Sequence, residues 1–430
     1  MNKKHFRLLF LLLFAILLFL SFNKHSKDKA NSYHGVIWAD AAGYYVYQPM
    51  WFIYGNNPNA FPDNVETKTG NGFYLDFKNN KVITKYPCGV AVLQAPFFLL
   101  SHLLAEPLGF TADGFSKIYS FGLYFSGVIY CCIGLFLLSR FLSRHFSPYI
   151  SVIAPFLFML GSNLYYYSID MPGMSHIYSF FLFCCIIYLT PVITSEINFK
   201  YYLIFFCCLF LVALTRPTNV LIGLFPLFYQ IKNKEEFFAR IRFLFSKKQA
   251  LIFAVVLSLL VAIPQLIYWY KTTGSIITYS YGDEGFSWWK APKLIEVWFS
   301  TNNGLFCYTP LILACLAGLI IMIRKADNRK WEGYFLAVVF LVISYLFASW
   351  WCWWFGCAFG ARSFIEYYAL LSIPFAYLLE YSLKHKLYRY LTIVFIASCV
   401  YLNMDMEYYY DGCFYGGTWD FATYLKLLNS

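Results

Sequence analysis

Asp40 is the residue in this chain whose surroundings best suit acid–base chemistry. It lies in "IWADAAGYYVYQPMWF", next to Tyr44 and Tyr45 and close to a glycine rather than to other charges. A carboxylate among aromatic side chains is partly desolvated, so we expect a raised pKa and a group able to act as a general base. A solvated loop residue is the competing interpretation.

Further acids and a histidine occur in two other segments. "YYYSIDMPGMSHIYSF" places Asp170 and His176 at the start of an apolar run, and "TYSYGDEGFSWWKAPK" holds Asp283 and Glu284 side by side. His176 is either a hydrogen-bonded helix cap or a base. The adjacent acids fit a solvated turn as well as a functional site.

Three cations are candidates for binding a phosphate. They are Lys85 in "TKYPCG", Arg216 in "LTRPTN" and Arg362 in "FGARSF". Arginine matches phosphate oxygens with two parallel hydrogen bonds. Arg362 and Glu366 are one helical turn apart and could instead form a plain ion pair, although charge is costly at a membrane boundary. Arg216 could simply extend to the membrane surface.

The composition identifies the elements that must position these residues. Of the 430 residues, 60% are hydrophobic and 13% are charged, whereas about a quarter of a soluble domain is charged. The chain is therefore an all-α polytopic membrane protein. Its net charge of +11 reflects topology and contact with anionic membrane lipids rather than nucleic-acid binding.

Charge distribution sets the predicted topology. Arg216-Pro217 is interpreted as the turn of a hairpin within 201–231, because this places the basic segment "KNKEEFFARIRFLFSKK" in the cytoplasm. The result is about eleven spans, with the amino terminus cytoplasmic and the carboxyl terminus exterior. The other predicted spans cover 6–22, 117–139, 148–166, 174–194, 249–270, 306–323, 333–350, 364–382 and 387–403.

The whole chain, 1–430, is predicted to be one transmembrane domain. An uncleaved anchor (1–22) precedes a first exterior loop (23–116) with surface-lying helices, one of them within 86–110. The remaining spans (117–403) enclose a second exterior loop near 271–305, and an exterior tail covers 404–430.

Aromatic and cysteine residues share one late exterior segment. Trp350, Trp351, Trp353 and Trp354 fit an aromatic belt at the headgroup level, with sugar stacking as the alternative. In the same segment Cys352 and Cys357 could form a disulfide in an oxidising compartment, or both could stay free.

Several short motifs together resemble a known family. They are the aspartate followed by Tyr-Tyr after the first span, "YP-G-----APFFLL", "MSHIYSF", "LTRPTN", "STNNGLFCYTPL" and "FGARSF". They are similar to motifs of the GT-C superfamily of integral-membrane glycosyltransferases. The likeness is to the bacterial branch related to protein O-mannosyltransferases and lipid A aminoarabinose transferases, and it implies a GT-C-like fold in a bacterial inner membrane.

The resemblance also implies an activity, which is transfer of a hexose or pentose from a polyprenyl-phosphate donor on the exterior, periplasmic face. The acceptor would be a glycan, a lipid or a protein. By likeness, Asp40 is the catalytic base and Asp170 the second-loop acid. Lys85, Arg362 and Arg216 are the residues that would hold the lipid phosphate.

The remaining candidate substrate-binding residues come from the same exterior segments. They are Tyr44, Tyr45, His176 and Glu366. We expect Asp40, Asp170 and Arg362 to share one exterior cavity open to the lipid.

One departure from the family pattern concerns metal binding. The family often has an Asp-Glu pair, but Ala41 follows Asp40. The sequence therefore supports no cofactor and no bound divalent metal.

A transporter or flippase of lipid-linked sugars is the alternative function. It would share the spans, the aromatic residues and the arginines. Transporters usually have ionisable residues near mid-membrane and inverted repeats. Here the spans are almost uncharged and the acids gather at one face, which favours the transferase.

Overall fold

The computed structural model of the protein describes residues 3–27, 36–325, 329–410, 412 and 417–428. The described chain is mostly helical, and its two short strands pair as an antiparallel hairpin in which Leu75 faces Val82. The amino-terminal elements are α1 (Lys3–Lys24), α2 (Asp40–Tyr45), α3 (Tyr47–Pro49), α4 (Val65–Lys68), β1 (Tyr74–Asp76), β2 (Lys81–Ile83) and α5 (Gly89–Ala105).

The remaining helices follow in chain order. In the middle of the chain they are α6 (Lys117–Leu142), α7 (Pro148–Leu160), α8 (Leu164–Ile169), α9 (Ser175–Ile193), α10 (Phe199–Thr215), α11 (Phe225–Phe228), α12 (Lys234–Leu244), α13 (Lys248–Ser258) and α14 (Ile263–Thr273). They end with α15 (Leu294–Phe299), α16 (Leu305–Tyr308), α17 (Leu311–Lys325), α18 (Lys330–Ser349), α19 (Tyr368–Leu383), α20 (Lys386–Tyr409) and α21 (Phe421–Leu428).

Tighter or wider helical turns join several of these elements. The 3-10 turns are His25–Lys27, Pro58–Ala60, Glu106–Leu108, Pro217–Leu224, Leu259–Ala262 and Arg362–Tyr367, and Met50–Tyr54 forms a π-helical turn. Two of them, Pro217–Leu224 and Arg362–Tyr367, directly follow or contain a predicted phosphate-binding arginine.

Seven helical segments of the described chain are long and apolar enough to cross a membrane. They are Arg7–Lys24, Gly89–Leu108, Lys117–Leu142, Ser175–Ile193, Lys248–Thr273, Lys330–Ser349 and Lys386–Tyr409. Shorter apolar helices include α7, α10 and the turn after it, Pro217–Phe228. The protein therefore has the character of a membrane protein, while the predicted count of about eleven spans stays a prediction.

The segment 201–231 forms the predicted hairpin. α10 ends at Thr215, and the chain then turns back so that a Cβ added at Gly223 would lie 3.0 Å from Leu209. At the far end the Tyr229 hydroxyl lies 2.9 Å from His145 Nε2, just past the end of α6. The Arg216-Pro217 turn and the end of α6 are thus at opposite ends of the hairpin.

α5 does not confirm the predicted helix lying flat on the surface. It runs antiparallel along the first half of α6, because the Tyr130 hydroxyl donates to the Leu93 carbonyl (2.7 Å) and His102 Nδ1 lies 2.6 Å from the Tyr119 hydroxyl. Its length and composition also suit a span. A helix packed lengthwise against a candidate span follows the direction of that span.

The cysteine pair considered from the sequence is not formed. Cys352 is a free thiol, whereas Cys357 is disulfide-bonded. The two cysteines of this segment are therefore not joined to each other.

Candidate active site

Asp40 is the first residue of α2, and the turn before it sets its direction. Ala39 has a φ of 48°, an unusual value for alanine that costs of order 1–3 kcal/mol. The Ala39 N–H donates to the Thr69 carbonyl at 2.9 Å, and its own carbonyl accepts from the Gly43 N–H at 3.1 Å. These two hydrogen bonds hold the strained residue in place and fix the start of α2.

Gly43 makes room for a tyrosine beside Asp40. A Cβ at Gly43 would lie 2.3 Å from Tyr86 Cδ2 and 2.4 Å from the Gly72 carbonyl oxygen, so no side chain fits there. The Tyr86 ring packs against Tyr44 with ring centroids 4.4 Å apart. The Tyr47 hydroxyl donates to the Tyr86 carbonyl at 2.8 Å. Tyr86 is therefore held by both its ring and its backbone.

Asp40 makes two strong polar contacts. Arg362 Nη2 donates to Asp40 Oδ2 at 2.7 Å, and the Tyr86 hydroxyl donates to Asp40 Oδ1 at 2.5 Å. The Asp40 side chain is 36% exposed and that of Arg362 is 13% exposed. The carboxylate is thus oriented from both sides and still accessible.

The pKa of Asp40 is lowered, which corrects the raised pKa expected from the sequence. Burial raises the pKa, but the positive charge of Arg362 and the hydrogen bonds from Tyr86 and Arg362 lower it by more. Conversely, Asp40 raises the pKa of Arg362 against the opposing effect of burial. Both groups are therefore charged, and Asp40 is available to accept a proton.

Arg362 is positioned by the loop that precedes it. The backbone of Phe359 is hydrogen-bonded to α8 and to the residue just before it. Asn163 Nδ2 donates to the Phe359 carbonyl at 2.9 Å, and the Phe359 N–H donates to the Tyr167 hydroxyl at 3.2 Å. Gly360 then adopts a φ of +68°, a conformation that favours glycine. The 3-10 turn starting at Arg362 is in this way tied to α8.

Arg216 belongs to a buried polar network next to this pair. Its Nη1 atom lies 3.1 Å from His176 Nδ1 and 3.6 Å from Glu366 Oε1. Glu366 has no exposed surface, and it also accepts from Asn219 Nδ2 at 2.7 Å. His176 Nδ1 lies 3.3 Å from Glu366 Oε2. Arg362 and Glu366, one turn apart in sequence, therefore bind different partners rather than each other.

Lys85 lies next to Tyr86 and is paired with the second exterior loop. Its ammonium group forms an ion pair with Glu284, and the Ser280 hydroxyl donates to the Lys85 carbonyl at 2.6 Å. The Tyr281 ring meets the Tyr86 ring edge-on, with centroids 6.1 Å apart. Glu284 is thus a partner of Lys85 rather than a free turn residue. Lys85 also lowers the pKa of Asp40.

The two neighbouring tyrosines of α2 point to different places. The Tyr44 ring packs on Tyr86. The Tyr44 hydroxyl interacts electrostatically with Arg216, Asp40 and Arg362. The Tyr45 hydroxyl donates to the Gly114 carbonyl at 2.5 Å, and Tyr45 is 1% exposed. Tyr45 therefore anchors the first exterior loop, which does not support its predicted contact with substrate.

Asp170 is paired with Lys24 rather than with Arg362, the partner of Asp40. Asp170 Oδ1 lies 2.6 Å from Lys24 Nζ, and the same ammonium lies 3.2 Å from Glu407 Oε1. Burial and the nearby Glu407 raise the pKa of Asp170, against the lowering effect of Lys24. Asp170 thus joins α8 to α1 and α20, and its predicted catalytic role stays a prediction.

Three residues of this site were not among the candidates expected from the sequence. Tyr86 and Asn219 make side-chain hydrogen bonds to Asp40 and Glu366, and Tyr281 packs against Tyr86. Tyr86 belongs to "TKYPCG" and Asn219 to "LTRPTN", in each of which a cation was the candidate residue. A tyrosine directly beside a predicted phosphate ligand was the available signal.

The surroundings of Asp40 do not fit a divalent metal. Among the described residues, no three or more His, Cys, Asp or Glu side chains are grouped to hold a metal ion. The direct partners of Asp40 are a guanidinium and a phenol, which are hydrogen-bond donors rather than metal ligands.

Comparison with known proteins gives likeness at the level of structure. No protein-family model matches the chain, and no curated protein matches it. The apo crystal structure of the Archaeoglobus fulgidus oligosaccharyltransferase is 11% identical, with a TM-score of 0.51 over 92% of this chain and 54% of that chain.

A second solved structure gives the same result. Archaeal oligosaccharyltransferase AglB from Archaeoglobus fulgidus, in complex with an inhibitory peptide and a dolichol-phosphate, is 12% identical, with a TM-score of 0.50 over 91% of this chain and 54% of that chain. The chain thus spans about half the length of the oligosaccharyltransferase chains it matches. At this identity the likeness establishes the fold alone. The protein shares its fold with the matched part of the archaeal oligosaccharyltransferases, in agreement with the GT-C-like fold implied by its motifs.

Proposed function

We propose that the protein is a glycosyltransferase that moves a sugar from a polyprenyl-phosphate donor to an acceptor on the exterior face of the membrane, with Asp40 as the general base. The observation that supports this most is the 2.7 Å contact between an accessible carboxylate, Asp40, and a guanidinium, Arg362. It supports the proposal because a carboxylate able to accept a proton and a guanidinium able to bind a phosphate are side by side, in a fold shared with oligosaccharyltransferases.

The two groups have separate tasks in the reaction. The acceptor hydroxyl gives its proton to Asp40 while its oxygen forms a bond to the anomeric carbon of the sugar. The bond between that carbon and the phosphate oxygen breaks, and polyprenyl phosphate leaves with the electron pair. Because the phosphate is already a good leaving group, positioning and charge neutralisation are sufficient, and no second acid is required.

Arg362 can serve both the base and the leaving group. Its Nη2 atom binds Asp40, and a guanidinium has five N–H donors in a planar fork, so further donors remain for a phosphate oxygen. As negative charge grows on the leaving phosphate, Arg362 stabilises it. Proton transfer to Asp40 at the same time removes the charge that Arg362 had paired with.

Arg216 is the second phosphate-binding group in this proposal. Glu366 and His176 contact the guanidinium, Asn219 in turn binds Glu366, and 16% of the Arg216 side chain stays exposed. Its charge acts on the Tyr44 phenol together with that of Arg362. We therefore assign Tyr44 to the wall between the two arginines. Lys85 becomes available only when its ion pair with Glu284 opens.

The lipid carrier is proposed from chemistry and from the solved relatives. The archaeal AglB structure includes a dolichol-phosphate, and the apolar helices around the present site would suit a lipid tail. Periplasmic location, bacterial origin and kinship to protein O-mannosyltransferases rest on the sequence motifs and on the charge distribution of the loops. The acceptor class is open to a glycan, a lipid or a protein.

The proposal is tested with purified protein reconstituted in liposomes that contain a radiolabelled polyprenyl-phosphate sugar and an extract of membrane acceptors. Wild type should release polyprenyl phosphate and label the acceptor, whereas Asp40→Asn should do neither at equal protein level. Full activity of Asp40→Asn would rule out Asp40 as the base. Movement of the intact donor between leaflets without release of polyprenyl phosphate would instead indicate the transporter.

A further inference from the structure

A groove runs between α1 and α6, away from the candidate active site. It has a volume of about 480 Å³ and is lined mainly by apolar side chains. The side chains include Arg7, Phe10, Phe14, Ile129, Ile133 and Phe136. An open apolar groove between two candidate spans would face the hydrocarbon core of a bilayer, where a lipid chain can fill it.

The charged end of the groove lies near the start of α1. α1 and α6 are antiparallel, because Phe22 packs against Phe121 (5.3 Å between centroids) while Phe10 packs against Phe136 (5.4 Å). One turn before Phe10 and one turn after Phe136 are Arg7 and Arg140. Because the two helices are antiparallel, Arg7 and Arg140 are at the same end of the helix pair. Both arginines are exposed.

We propose that this groove is a binding site for one anionic phospholipid. Its acyl chain lies along Phe10, Phe14 and Ile133, and its phosphate meets Arg7 at the mouth, with Arg140 at the same level. Basic pockets between spans on the cytoplasmic side are suited to anionic headgroups, and each arginine near such a surface contributes about 1 kcal/mol. The charge pattern of the loops places the start of α1 on that side.

The groove does not serve the reacting donor. From Arg7 to Lys24 an α-helix rises about 25 Å, and Lys24 binds Asp170 at the other end of α1. The turn after Asp170 contacts α2, since a Cβ at Gly173 would lie 3.0 Å from the Ala41 Cβ. A phosphate at Arg7 is therefore at the opposite end of α1 from Asp40, and the lipid site does not depend on the proposed activity.

Native mass spectrometry of the full-length protein in detergent tests this site. The probes are phosphatidylglycerol and phosphatidylcholine with identical acyl chains, added at a series of concentrations. We expect phosphatidylglycerol to bind more tightly, and Arg7→Ala to weaken its binding about fivefold, the effect of one arginine near an anionic surface. Arg242→Ala, which removes an exposed arginine from α12, is the matched control and should leave binding unchanged.

A second variant separates the groove from general surface charge. Ile133→Trp fills the groove, keeps every charge and should reduce binding of the phosphatidylglycerol acyl chain. Equal binding of the two lipids, or equal losses in Arg7→Ala and Arg242→Ala, would overturn the proposal. So would displacement of phosphatidylglycerol by polyprenyl phosphate alone, which would make the groove a carrier site. Circular dichroism and thermal unfolding confirm that each variant is folded.

Discussion

Asp40 and Asp170 are two aspartates at the ends of short helices, yet their surroundings shift their pKa values in opposite directions. Asp40 faces a guanidinium and a phenol and keeps 36% of its side chain exposed. Asp170 shares one ammonium, Lys24, with a second carboxylate, Glu407, and its side chain is 8% exposed. Burial raises the pKa of both aspartates, but only Asp40 has enough donors to reverse that effect.

The difference shows what a carboxylate needs in order to act as a base here. A group that stays ionised and accessible can accept a proton, whereas a sealed carboxylate beside another acid favours its protonated form. Residue type and predicted exterior location were the same for both aspartates. Their partners, which come from distant parts of the chain, separate them.

The largest effect that we expect within the Asp40 region, apart from that of Asp40 itself, comes from Arg362. Arg362→Ala removes the charge that would stabilise the leaving phosphate, so kcat/KM for the donor should fall about 100-fold or more. Arg362→Lys keeps the charge but loses the planar fork, so its loss should be intermediate. Initial rates with a labelled donor measure both.

The control for Arg362 is Arg242→Ala, which should leave the rate unchanged because Arg242 is exposed on α12. If Arg362→Ala behaved like this control, Arg362 would not bind the phosphate.

Tyr86→Phe should have a smaller, pH-dependent effect. The Tyr86 hydroxyl stabilises ionised Asp40, and a hydrogen bond to a charged group contributes about 1.5–3 kcal/mol. Without it the pKa of Asp40 rises, so the acidic limb of kcat/KM moves to higher pH. We expect a loss of about tenfold at acidic pH and recovery as the pH increases.

Tyr45→Phe is the matched control for that experiment. It also removes a hydroxyl from a buried tyrosine of this loop, but the Tyr45 hydroxyl binds the Gly114 carbonyl rather than Asp40. Its pH profile should match wild type. An acidic limb that does not move in Tyr86→Phe would show that Tyr86 does not set the ionisation of Asp40.

The smallest expected effect is on stability and concerns Asp170. Because its pKa is raised above the ordinary 3.8, the stabilisation from protonated Asp170 is complete below that ordinary value and is lost as pH rises through the raised pKa. Asp170→Asn stays neutral, so its apparent Tm should depend less on pH. At alkaline pH its apparent Tm should exceed that of wild type, on a scale of about 1 °C per kcal/mol for a chain of 430 residues.

Intrinsic tryptophan fluorescence during heating follows this change in detergent. Glu296→Gln, at a partly exposed carboxylate paired with Lys293, is the control and should keep the wild-type pH dependence. An Asp170→Asn curve parallel to that of wild type would show that Asp170 is ionised throughout the range.

Sequence reasoning was strongest where the pattern is local. The reversal at Arg216-Pro217 followed from a proline and from the basic loop after it, and the structure shows this reversal. The membrane character followed from composition. The path of α5 is harder to predict, because a proline-containing apolar helix fits a surface as well as a span, and its packing along α6 becomes visible only in the fold.

The site was predictable in its charged residues and less so in their partners. Asp40 and Arg362 were both candidates, although they are 322 positions apart and their direct contact needed the fold. The contact of Tyr86 with Asp40 spans 46 positions. The pKa of Asp40 was predicted to be raised, because its aromatic neighbours indicated desolvation. It is lowered instead, because the two hydrogen-bond donors that outweigh desolvation, Tyr86 and Arg362, are remote in sequence.

A matched pair of variants tests the central claim most directly. Asp40→Asn and Asp170→Asn make the same chemical change at the two aspartates, and the rate of sugar transfer from a labelled polyprenyl-phosphate donor is measured for both in the same liposomes. We predict a loss of about 100-fold to 10,000-fold for Asp40→Asn, the range for a general base, and a rate close to wild type for Asp170→Asn. Equal losses, or a larger loss for Asp170→Asn, would contradict the assignment of Asp40 as the base.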